Sequence, residues 1–296
     1  YIRGEYKFFS DRVNEAIKEA YEAGIIGEKI MNEYDFKLDI TVHRGGGAYI
    51  CGEKSALIES LEGKRGHPRL KPHGKECEWF FDNPATVNNV ETIASVPNIV
   101  ENGAEGYTKY GTASSPGTML FAISGPVKTP GVYEMAYGNK MIDFLNILGG
   151  GMIEGKKLKA IIPGGSSCPI LTAKEVENAV LDYESMWDVG STLGTGGMIV
   201  IDEDTSMVDV AKNLIEFYHH ESCGQCTPCR EGTGWIDKIL KKILNGEGSN
   251  EDLSLILEVC NTMNGKTVCV FAPAVKDIIS SIVKKFPEEF KTYIKN

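Results

Sequence analysis

Three of the eight cysteines lie together in the segment Glu221–Thr233, where they follow the spacing C-x2-C-x2-C. Only two residues separate Cys223 from Cys226, and Cys226 from Cys229, so one turning loop can direct all three sulfurs toward one point. Zinc sites usually take cysteines in pairs, completed by a second pair or by histidines. Three thiolates from one tight loop and a fourth from elsewhere commonly hold a cubane [4Fe–4S] cluster. The spacing therefore favours a cluster, with a zinc knuckle or structural thiols as the plainer alternative.

The fourth ligand must come from far along the chain, because the sequence does not continue with the C-x3-C-P of bacterial ferredoxins. Cys269 is the best candidate, since it lies in a predicted interhelix segment, Gly265–Pro273, where a ligand is easy to place. Cys260 falls on the apolar face of a predicted helix, one turn from Ile256, and is predicted to be a core residue.

The elements that must position these cysteines are helices. From Met207 apolar residues recur at helical spacing on one face, and this helix runs into the cysteine loop. Further helices are predicted at Gly234–Leu244, Asn250–Cys260 and Ala274–Phe286. The C-terminal part of the chain is therefore predicted to be a helical bundle that carries the cysteines in its loops.

A glycine turn marks a second candidate site. Phe36–His43 alternates apolar and polar residues and is predicted to be a strand; the turn Arg44–Gly47 and a helical run ending at Leu61 follow. Strand, glycine loop and helix form the layout in which backbone N–H groups reach a phosphate at a helix N-terminus. These glycines lack the spacing G-x-G-x-x-G, so a flexible turn is an equal alternative.

Other polar segments allow two interpretations each. Asn88 and Asn89 offer donors and acceptors to a heterocycle, but such a pair can also cap the helix predicted after it. The basic, proline-bearing segment Glu62–Gly74 either steers an anionic ligand or is a solvated connection. Near the N-terminus an amphipathic helix is predicted at Phe8–Gly24, capped by Ser10 or Asp11.

The middle of the chain is predicted to be a small α+β domain that serves as a spacer or docking module. Its predicted elements are a strand, a hairpin, a short helix and two further strands, at Thr118–Ser124, Gly125–Tyr133, Met141–Leu148, Leu158–Ile162 and Gly194–Ile201.

Composition excludes several classes of protein. A chain of 296 residues is long enough for two or three domains. Its net charge of −10 argues against nucleic acid as the main partner, which needs a basic surface. No apolar run reaches the ~18 residues of a membrane span, no signal peptide is visible, and the irregular cysteines suit a reducing compartment. Because the first residue is Tyr1, an upstream segment is predicted.

Six motifs, in a fixed order over nearly the whole chain, resemble one known family. They are G-A-Y-I-C-G-E (Gly47–Glu53), A-L-I-E-S-L-E-G-K-R-G (Ala56–Gly66), P-R-L-K-P (Pro68–Pro72), T-V-N-N-V-E-T (Thr86–Thr92), P-G-G-S-S (Pro163–Ser167) and H-E-S-C-G-Q-C-T-P-C-R-E-G-T (His220–Thr233). The family contains the NADH-binding flavoprotein subunit of NADH:quinone oxidoreductase (complex I) and the diaphorase subunits of NAD(P)-linked hydrogenases, including electron-bifurcating ones, and formate dehydrogenases.

The resemblance implies an α/β and α+β multidomain fold. Residues 1–112 are expected to be the C-terminal part of a Rossmann-like FMN and NAD(P)H domain, whose N-terminal part would lie upstream. Residues 113–204 are expected to form a ubiquitin-like β-grasp domain of the soluble-ligand-binding type. Residues 205–296 are expected to be the helical bundle with its [4Fe–4S] cluster.

The resemblance also implies site residues and an activity. Glu53 is the candidate catalytic residue, and Cys223, Cys226, Cys229 and Cys269 are the cluster ligands. The cofactor-binding candidates are Gly47, Tyr49, Gly52, Glu53, Lys54, Asn88, Asn89 and Glu91, of which Asn88 and Asn89 contact FMN. NADH gives hydride to flavin N5, and single electrons leave through the cluster. Flavin is needed because it takes two electrons at once and releases them singly.

Three departures from the family pattern bear on this expectation. The family's first glycine-rich FMN loop, which would precede Tyr1, is absent from this sequence. Lys54 stands where the family has a second glutamate, and a lysine would attract the 2′-phosphate of NADPH unless it turns to solvent. His73-Gly74 replaces Pro-Phe, which removes an aromatic contact that Trp79, Phe80 or Phe81 could supply.

Implied partners are a thioredoxin-like [2Fe–2S] subunit and a larger multi-cluster iron–sulfur subunit. The implied location is the cytoplasm, or the inner face of the cell membrane through those partners. Alternatives are a diaphorase subunit of a hydrogenase or formate dehydrogenase, a relay subunit that has lost dinucleotide binding, and a zinc-binding interaction protein.

Overall fold

The computed structural model describes residues 1–70 and 78–294 in two compact units, Tyr1–Val87 and Asn88–Asn296. The end of the P-R-L-K-P motif and the His73-Gly74 departure lie outside the described residues. Among the described helices, none combines the length and apolar character that crossing a membrane requires.

The first unit begins with helix α1, Lys7–Glu22, which starts before the predicted caps. Tyr6 is the N-cap and provides no side-chain hydrogen bond, so the prediction of Ser10 or Asp11 as cap is wrong. Both residues lie inside the helix, where Asp11 instead forms an i,i+4 ion pair with Lys7. Such a pair stabilises the first turn by a few tenths of a kcal/mol, about 0.2–0.5.

The strand predicted at Phe36–His43 is also wrong. Leu38 forms an isolated antiparallel bridge with Gly27, and the described backbone there shows no continuous ladder. Phe36 and Ile40 are exposed. Alternation tells which side chains share a face, but a strand also needs a neighbouring backbone to accept and donate its hydrogen bonds.

A 3₁₀ turn, Tyr49–Gly52, leads into helix α2, Lys54–Leu61, as the glycine-loop prediction required. The short strands β1, Trp79–Phe80, and β2, Asn83–Pro84, then pair antiparallel.

The second unit opens with helix α3, Val90–Thr108, which is kinked at Gly103, where φ is +71°. The Asn89 side chain accepts a hydrogen bond from the Glu91 N–H at 2.8 Å. The capping interpretation of Asn89 is therefore confirmed, because a side-chain oxygen satisfies one of the free donors of the first turn.

A five-stranded mixed sheet follows, in the order β4-β3-β7-β5-β6. Strand β3 pairs antiparallel with β4 and parallel with β7, while β5 is antiparallel to β7 and β6. The strands are β3, Thr118–Ser124; β4, Gly131–Ala136; β5, Leu158–Ile162; β6, Leu171–Thr172; and β7, Gly197–Asp202. The predicted bounds of β3 and β5 are confirmed.

Short helices cover this sheet. Helix α4, Met141–Asp143, continues as a π-helical turn, Phe144–Leu148; helices α5, Ala173–Val176, and α6, Tyr183–Asp188, follow. Phe121 of β3 is fully buried and lies 5.9 Å from Phe144, ring centroid to ring centroid. Burying one such side chain contributes about 1.5–3 kcal/mol.

The C-terminal helices form the predicted bundle. They are α7, Met207–Glu221; α8, Thr227–Leu244; α9, Asn250–Met263; α10, Phe271–Lys285; and α11, Pro287–Lys291. Helix α8 starts well before the predicted Gly234, so Cys229 lies in a helix rather than in a loop. Pro228 favours this earlier start. Glycine is required at position 232 inside the helix, because a Cβ there would come 2.5 Å from Met263 Sδ.

Helix α10 ties the bundle to the sheet within the second unit. Lys285 Nζ donates to both carboxylate oxygens of Glu175 and to the Ile170 carbonyl, each at 2.8 Å. Ser281 Oγ accepts from the buried Ile170 N–H at 3.0 Å. The loop before β6 is therefore held by two side chains from the last turns of α10.

Candidate functional site

The cysteine loop links helices α7 and α8. Ser222 ends α7, and its N–H donates to the Tyr218 carbonyl at 3.0 Å. Gly224 then adopts φ +80°, a left-handed conformation that suits glycine. Cys226 is the N-cap of α8 and its carbonyl accepts from the Cys229 N–H at 3.1 Å. The three cysteines thus lie on one short segment, formed by the interhelix loop and the first turn of α8.

The connection between α9 and α10 lies against this loop. The Val268 N–H donates to Cys226 Sγ at 3.3 Å, which brings the neighbouring Cys269 to the same region. Burial is the main cause that raises the pKa of the Cys229 thiol to about 11, and the charges of Cys269, Cys223 and Cys226 contribute to the same rise. The predicted fourth ligand therefore lies on a segment that contacts the cysteine turn.

Cys260 lies apart from this set. It is fully buried in α9, and burial raises the pKa of its thiol to about 12. A thiol with that pKa stays protonated and behaves as a small apolar side chain. The prediction that Cys260 is a core residue is confirmed.

The donor set fits a [4Fe–4S] cluster. Three thiols lie on one short segment, and the Val268 N–H, next to Cys269, donates to Cys226 Sγ, while Ser222 Oγ lies 3.4 Å from Cys229 Sγ. Among residues 1–70 and 78–294, no group of three or more His, Cys, Asp or Glu side chains is placed to hold a single metal ion. A cubane cluster needs a wider set, because each thiolate binds a different iron.

A buried aromatic pair lies behind the cysteine loop. Tyr218 of α7 is fully buried, and its ring meets that of Phe271, two residues after Cys269, edge to face at a centroid distance of 5.4 Å. The hydroxyls of Tyr218 and Ser166 are 3.0 Å apart. Ser166 belongs to the P-G-G-S-S motif, so this motif supports the segments that carry the cysteines.

The P-G-G-S-S turn itself is tightly packed. A Cβ at Gly164 would lie 2.1 Å from the Leu193 carbonyl oxygen, so only glycine fits. The sequence contains the motif but predicted neither the Ser166–Tyr218 contact nor the approach of Ser222 Oγ to Cys229 Sγ. The position of Ser222 directly before Cys223 was the sequence feature that could have predicted a contact between its hydroxyl and a cysteine sulfur.

The predicted flavin and dinucleotide residues of the first unit lie on one continuous turn. Gly47 has φ +92°, and Tyr49 and Gly52 bound the 3₁₀ turn. The Glu53 carboxylate caps α2, accepting from the Ala56 N–H at 2.9 Å and from the Ser55 hydroxyl at 2.5 Å. Lys54 is the first residue of α2. A helix start of this kind is where proteins commonly bind an anionic group.

Lys54 has a carboxylate neighbour. Its Nζ lies 3.1 Å from Glu78 Oε1, while Glu78 Oε2 accepts from the Val87 N–H at 2.7 Å. The Lys54 side chain remains 56% exposed, so it can still meet a ligand. The pairing with Glu78 reduces the positive charge that such a ligand would experience.

Asn88, Asn89 and Glu91 belong to the second unit, at the start of α3. Glu91 Oε1 accepts from the Leu120 N–H of β3 at 3.0 Å. A cavity of about 360 Å³ lies beside it, lined by Glu91, Tyr107, Tyr110, Leu120 and Glu134 among others. Glu91 is therefore engaged with the sheet, and Asn89 with the helix start.

Three family profiles match the chain in succession. The Nuo51 FMN-binding domain matches residues 1–98, the SLBB domain matches residues 119–201, and the NADH-ubiquinone oxidoreductase-F iron-sulfur binding region matches residues 209–293.

Similar whole proteins come from several bacteria. The F 2 subunit of NADH-quinone oxidoreductase from Rhizobium meliloti (strain 1021) is 43% identical over 294 residues, covering 99% of this chain and 69% of the relative. The F subunit of the same enzyme from Rhodobacter capsulatus is 42% identical over 297 residues, covering 100% and 68%. A solved NAD+-reducing [NiFe]-hydrogenase in the H2-reduced state matches with a TM-score of 0.88 and 31% identity, over the whole chain. This chain spans 48% of that hydrogenase chain.

Proposed function

The chain belongs to the family of the NADH-quinone oxidoreductase F subunits, and from this we propose that it is an electron-entry subunit. It oxidises NADH with FMN and delivers single electrons to a [4Fe–4S] cluster, within a larger complex. The observation that carries the proposal is the 3.3 Å hydrogen bond from the Val268 N–H, beside Cys269, to Cys226 Sγ, in a chain whose residues 1–98 match an FMN-binding domain.

In this proposal, different residues of the chain have different roles. The turn from Gly47 to Lys54 offers the N–H groups at the start of α2 to a phosphate, and Glu53 keeps that start in place as its N-cap. The four cysteines hold the cluster. When bound, FMN and the cluster supply the conversion of a two-electron hydride donor into single electrons. The catalytic role of Glu53 and the FMN contacts of Asn88 and Asn89 are part of this proposal.

We further propose three domains: a Rossmann-like FMN and NAD(P)H domain in residues 1–112, a ubiquitin-like β-grasp domain in 113–204 and the cluster bundle in 205–296. The successive profile matches at 1–98, 119–201 and 209–293 support this division. The proposed partners are a thioredoxin-like [2Fe–2S] subunit and a larger multi-cluster subunit, with a cytoplasmic location or attachment to the inner membrane face through them.

A second candidate is the diaphorase subunit of an NAD(P)-linked hydrogenase or formate dehydrogenase. The likeness to the NAD+-reducing [NiFe]-hydrogenase supports it. Both candidates share the same chemistry in this chain and differ in their partner subunits. Purification of the native complex, followed by identification of the co-purifying subunits, separates them.

The proposed function predicts a yellow-brown protein that NADH reduces. We expect the purified full-length protein to contain FMN and iron, and NADH to bleach the flavin absorbance near-completely under anaerobic conditions. Iron without flavin would indicate the relay subunit that has lost dinucleotide binding. Zinc in place of iron would contradict the proposal and favour a zinc-binding interaction protein.

Lys54 is predicted to shift preference toward NADPH. We expect Lys54→Glu to lower the ratio of NADPH to NADH turnover about tenfold, because a carboxylate beside Glu78 repels a 2′-phosphate that lysine attracts. Steady-state kinetics with both dinucleotides measures this ratio. Lys37→Glu is the matched control, since Lys37 lies in the same unit, is 55% exposed and also pairs with carboxylates, those of Glu28 and Asp39. Equal selectivity in native protein and Lys54→Glu rules the prediction out.

A further inference from the structure

Two of the cysteine sulfurs lie within hydrogen-bond distance of named protein groups. Ser222 Oγ lies 3.4 Å from Cys229 Sγ, and the Val268 N–H lies 3.3 Å from Cys226 Sγ. Both distances suit a sulfur acceptor, whose radius exceeds that of oxygen. The second donor is backbone and belongs to the fold, whereas the first is a side chain that can be removed without changing the chain path.

The Ser222 hydroxyl is held in position from both sides. Its backbone N–H is bound to the Tyr218 carbonyl at the end of α7, and its Oγ accepts from the Gly224 N–H at 3.4 Å. Because the oxygen already accepts from Gly224, its own proton is available to Cys229. An iron-bound thiolate carries no proton and can only accept, so Ser222 must be the donor once the site is loaded.

This hydrogen bond favours the reduced state of a cluster. Reduction adds one negative charge, part of which resides on the cysteine sulfurs, and a donor stabilises that charge. Cys229 is only 8% exposed, so water screens the interaction weakly. The donor therefore stabilises the reduced form more than the oxidised form.

We propose that Ser222 is a positioning residue that raises the reduction potential of the cluster by donating its hydroxyl proton to the sulfur of Cys229. The proposal rests on the proposed function, because it requires the cluster to be present. In this proposal Ser222 sets the reduction potential at which electrons leave the cluster, and the four cysteines bind the iron.

The test is a redox titration followed by EPR on the full-length protein. In Ser222→Ala we expect the ratio of reduced to oxidised cluster at a fixed potential to fall about tenfold, which for one electron equals about 59 mV. Ser222→Thr keeps the hydroxyl and should restore the native potential. Ser254→Ala is the matched control, because Ser254 is an exposed serine of α9 that bonds only to the Asn250 carbonyl among its described contacts.

A second measurement addresses the hydrogen bond directly. Electron–nuclear double resonance in H2O and D2O should show an exchangeable proton coupled to the reduced cluster, present in native protein and Ser222→Thr and lost in Ser222→Ala. A native potential in Ser222→Ala overturns the proposal, as does an equal shift in Ser222→Thr.

Iron analysis separates failure of this proposal from failure of the proposed function. Native protein without iron overturns the proposed function. If Ser222→Ala loses its iron while Ser222→Thr keeps it, the hydroxyl serves cluster assembly and the proposal is overturned. Iron-loaded Ser222→Ala with a lowered potential supports it.

Discussion

Replacing Cys269 with serine is expected to abolish the cluster EPR signal and to lower bound iron to a small fraction of the native amount. Serine is a poor ligand for iron in this setting, and the loop that carries Cys269 is fixed against the cysteine turn by the Val268 N–H to Cys226 Sγ hydrogen bond. Iron analysis and EPR of the dithionite-reduced protein measure the loss. The other cysteines of the described chain are buried and cannot move into its place; they are Cys51, Cys168 and Cys260.

Cys260→Ser is the control for this experiment. Cys260 is fully buried in α9, and a hydroxyl there lacks the apolar character of the thiol. We expect a loss of about 1–3 kcal/mol in the free energy of unfolding, with the cluster signal retained. A cluster that survives Cys269→Ser but disappears in Cys260→Ser would exchange the roles of the two cysteines and contradict the site described above.

The second large effect is expected at Tyr218. Tyr218→Ala should lower the free energy of unfolding by about 3–5 kcal/mol, because it removes a fully buried ring that packs against Phe271. For a unit of this size the melting temperature should fall by about 6–20 °C. Thermal unfolding followed by circular dichroism measures the change, and cluster content should fall with it.

Two smaller substitutions separate the ring from its hydroxyl. Tyr218→Phe and Ser166→Ala each remove the same 3.0 Å hydrogen bond and should each cost about 1 kcal/mol. Because the partners share one bond, the double variant should cost less than the sum of the single ones. Additive losses would show that the two hydroxyls act independently, and Tyr218→Phe as unstable as Tyr218→Ala would place the energy in the hydroxyl.

Much of the second unit could be predicted from sequence, for a physical reason. The apolar alternation in Thr118–Ser124 and Leu158–Ile162 coincides with burial in a paired sheet. Phe36–His43 has the same alternation, yet its side chains are largely exposed and it lacks a ladder in the described structure. The periodicity of apolar residues indicates which side chains share a face. Strand formation also needs a neighbouring strand, and the local sequence does not show which segment that will be.

The start of helix α8 could not be predicted from the sequence, for a different reason. The sequence predicted a helix from Gly234, whereas α8 begins at Thr227 and includes Gly232, although glycine in a helix costs about 1 kcal/mol relative to alanine. Met263 packs so closely on Gly232 that a Cβ there would lie 2.5 Å from its sulfur, so a larger residue would not fit without a shift. Which residue approaches a glycine depends on tertiary structure, so the position of Cys229 inside α8 could not be predicted.

In the candidate site, too, some residues could be predicted from the sequence and others depend on tertiary structure. Spacing alone could nominate the three cysteines, and the interhelix position of Cys269 could nominate a fourth. The contacts of Ser222, Val268 and Ser166 depend on how separate segments meet in space. Asn89 had two open interpretations, and its observed hydrogen bond to the Glu91 N–H supports the capping one.

Helix α10 has a consequence for the speed of electron transfer. It begins two residues after Cys269, and its last turns are fastened to the loop before β6 by Ser281 and Lys285. A ligand segment anchored in this way keeps nearly the same geometry in both oxidation states. For a cluster held by Cys269 we therefore expect a small reorganisation energy, and an electron-transfer rate that follows the distance to the partner centre and the driving force rather than a motion of the protein.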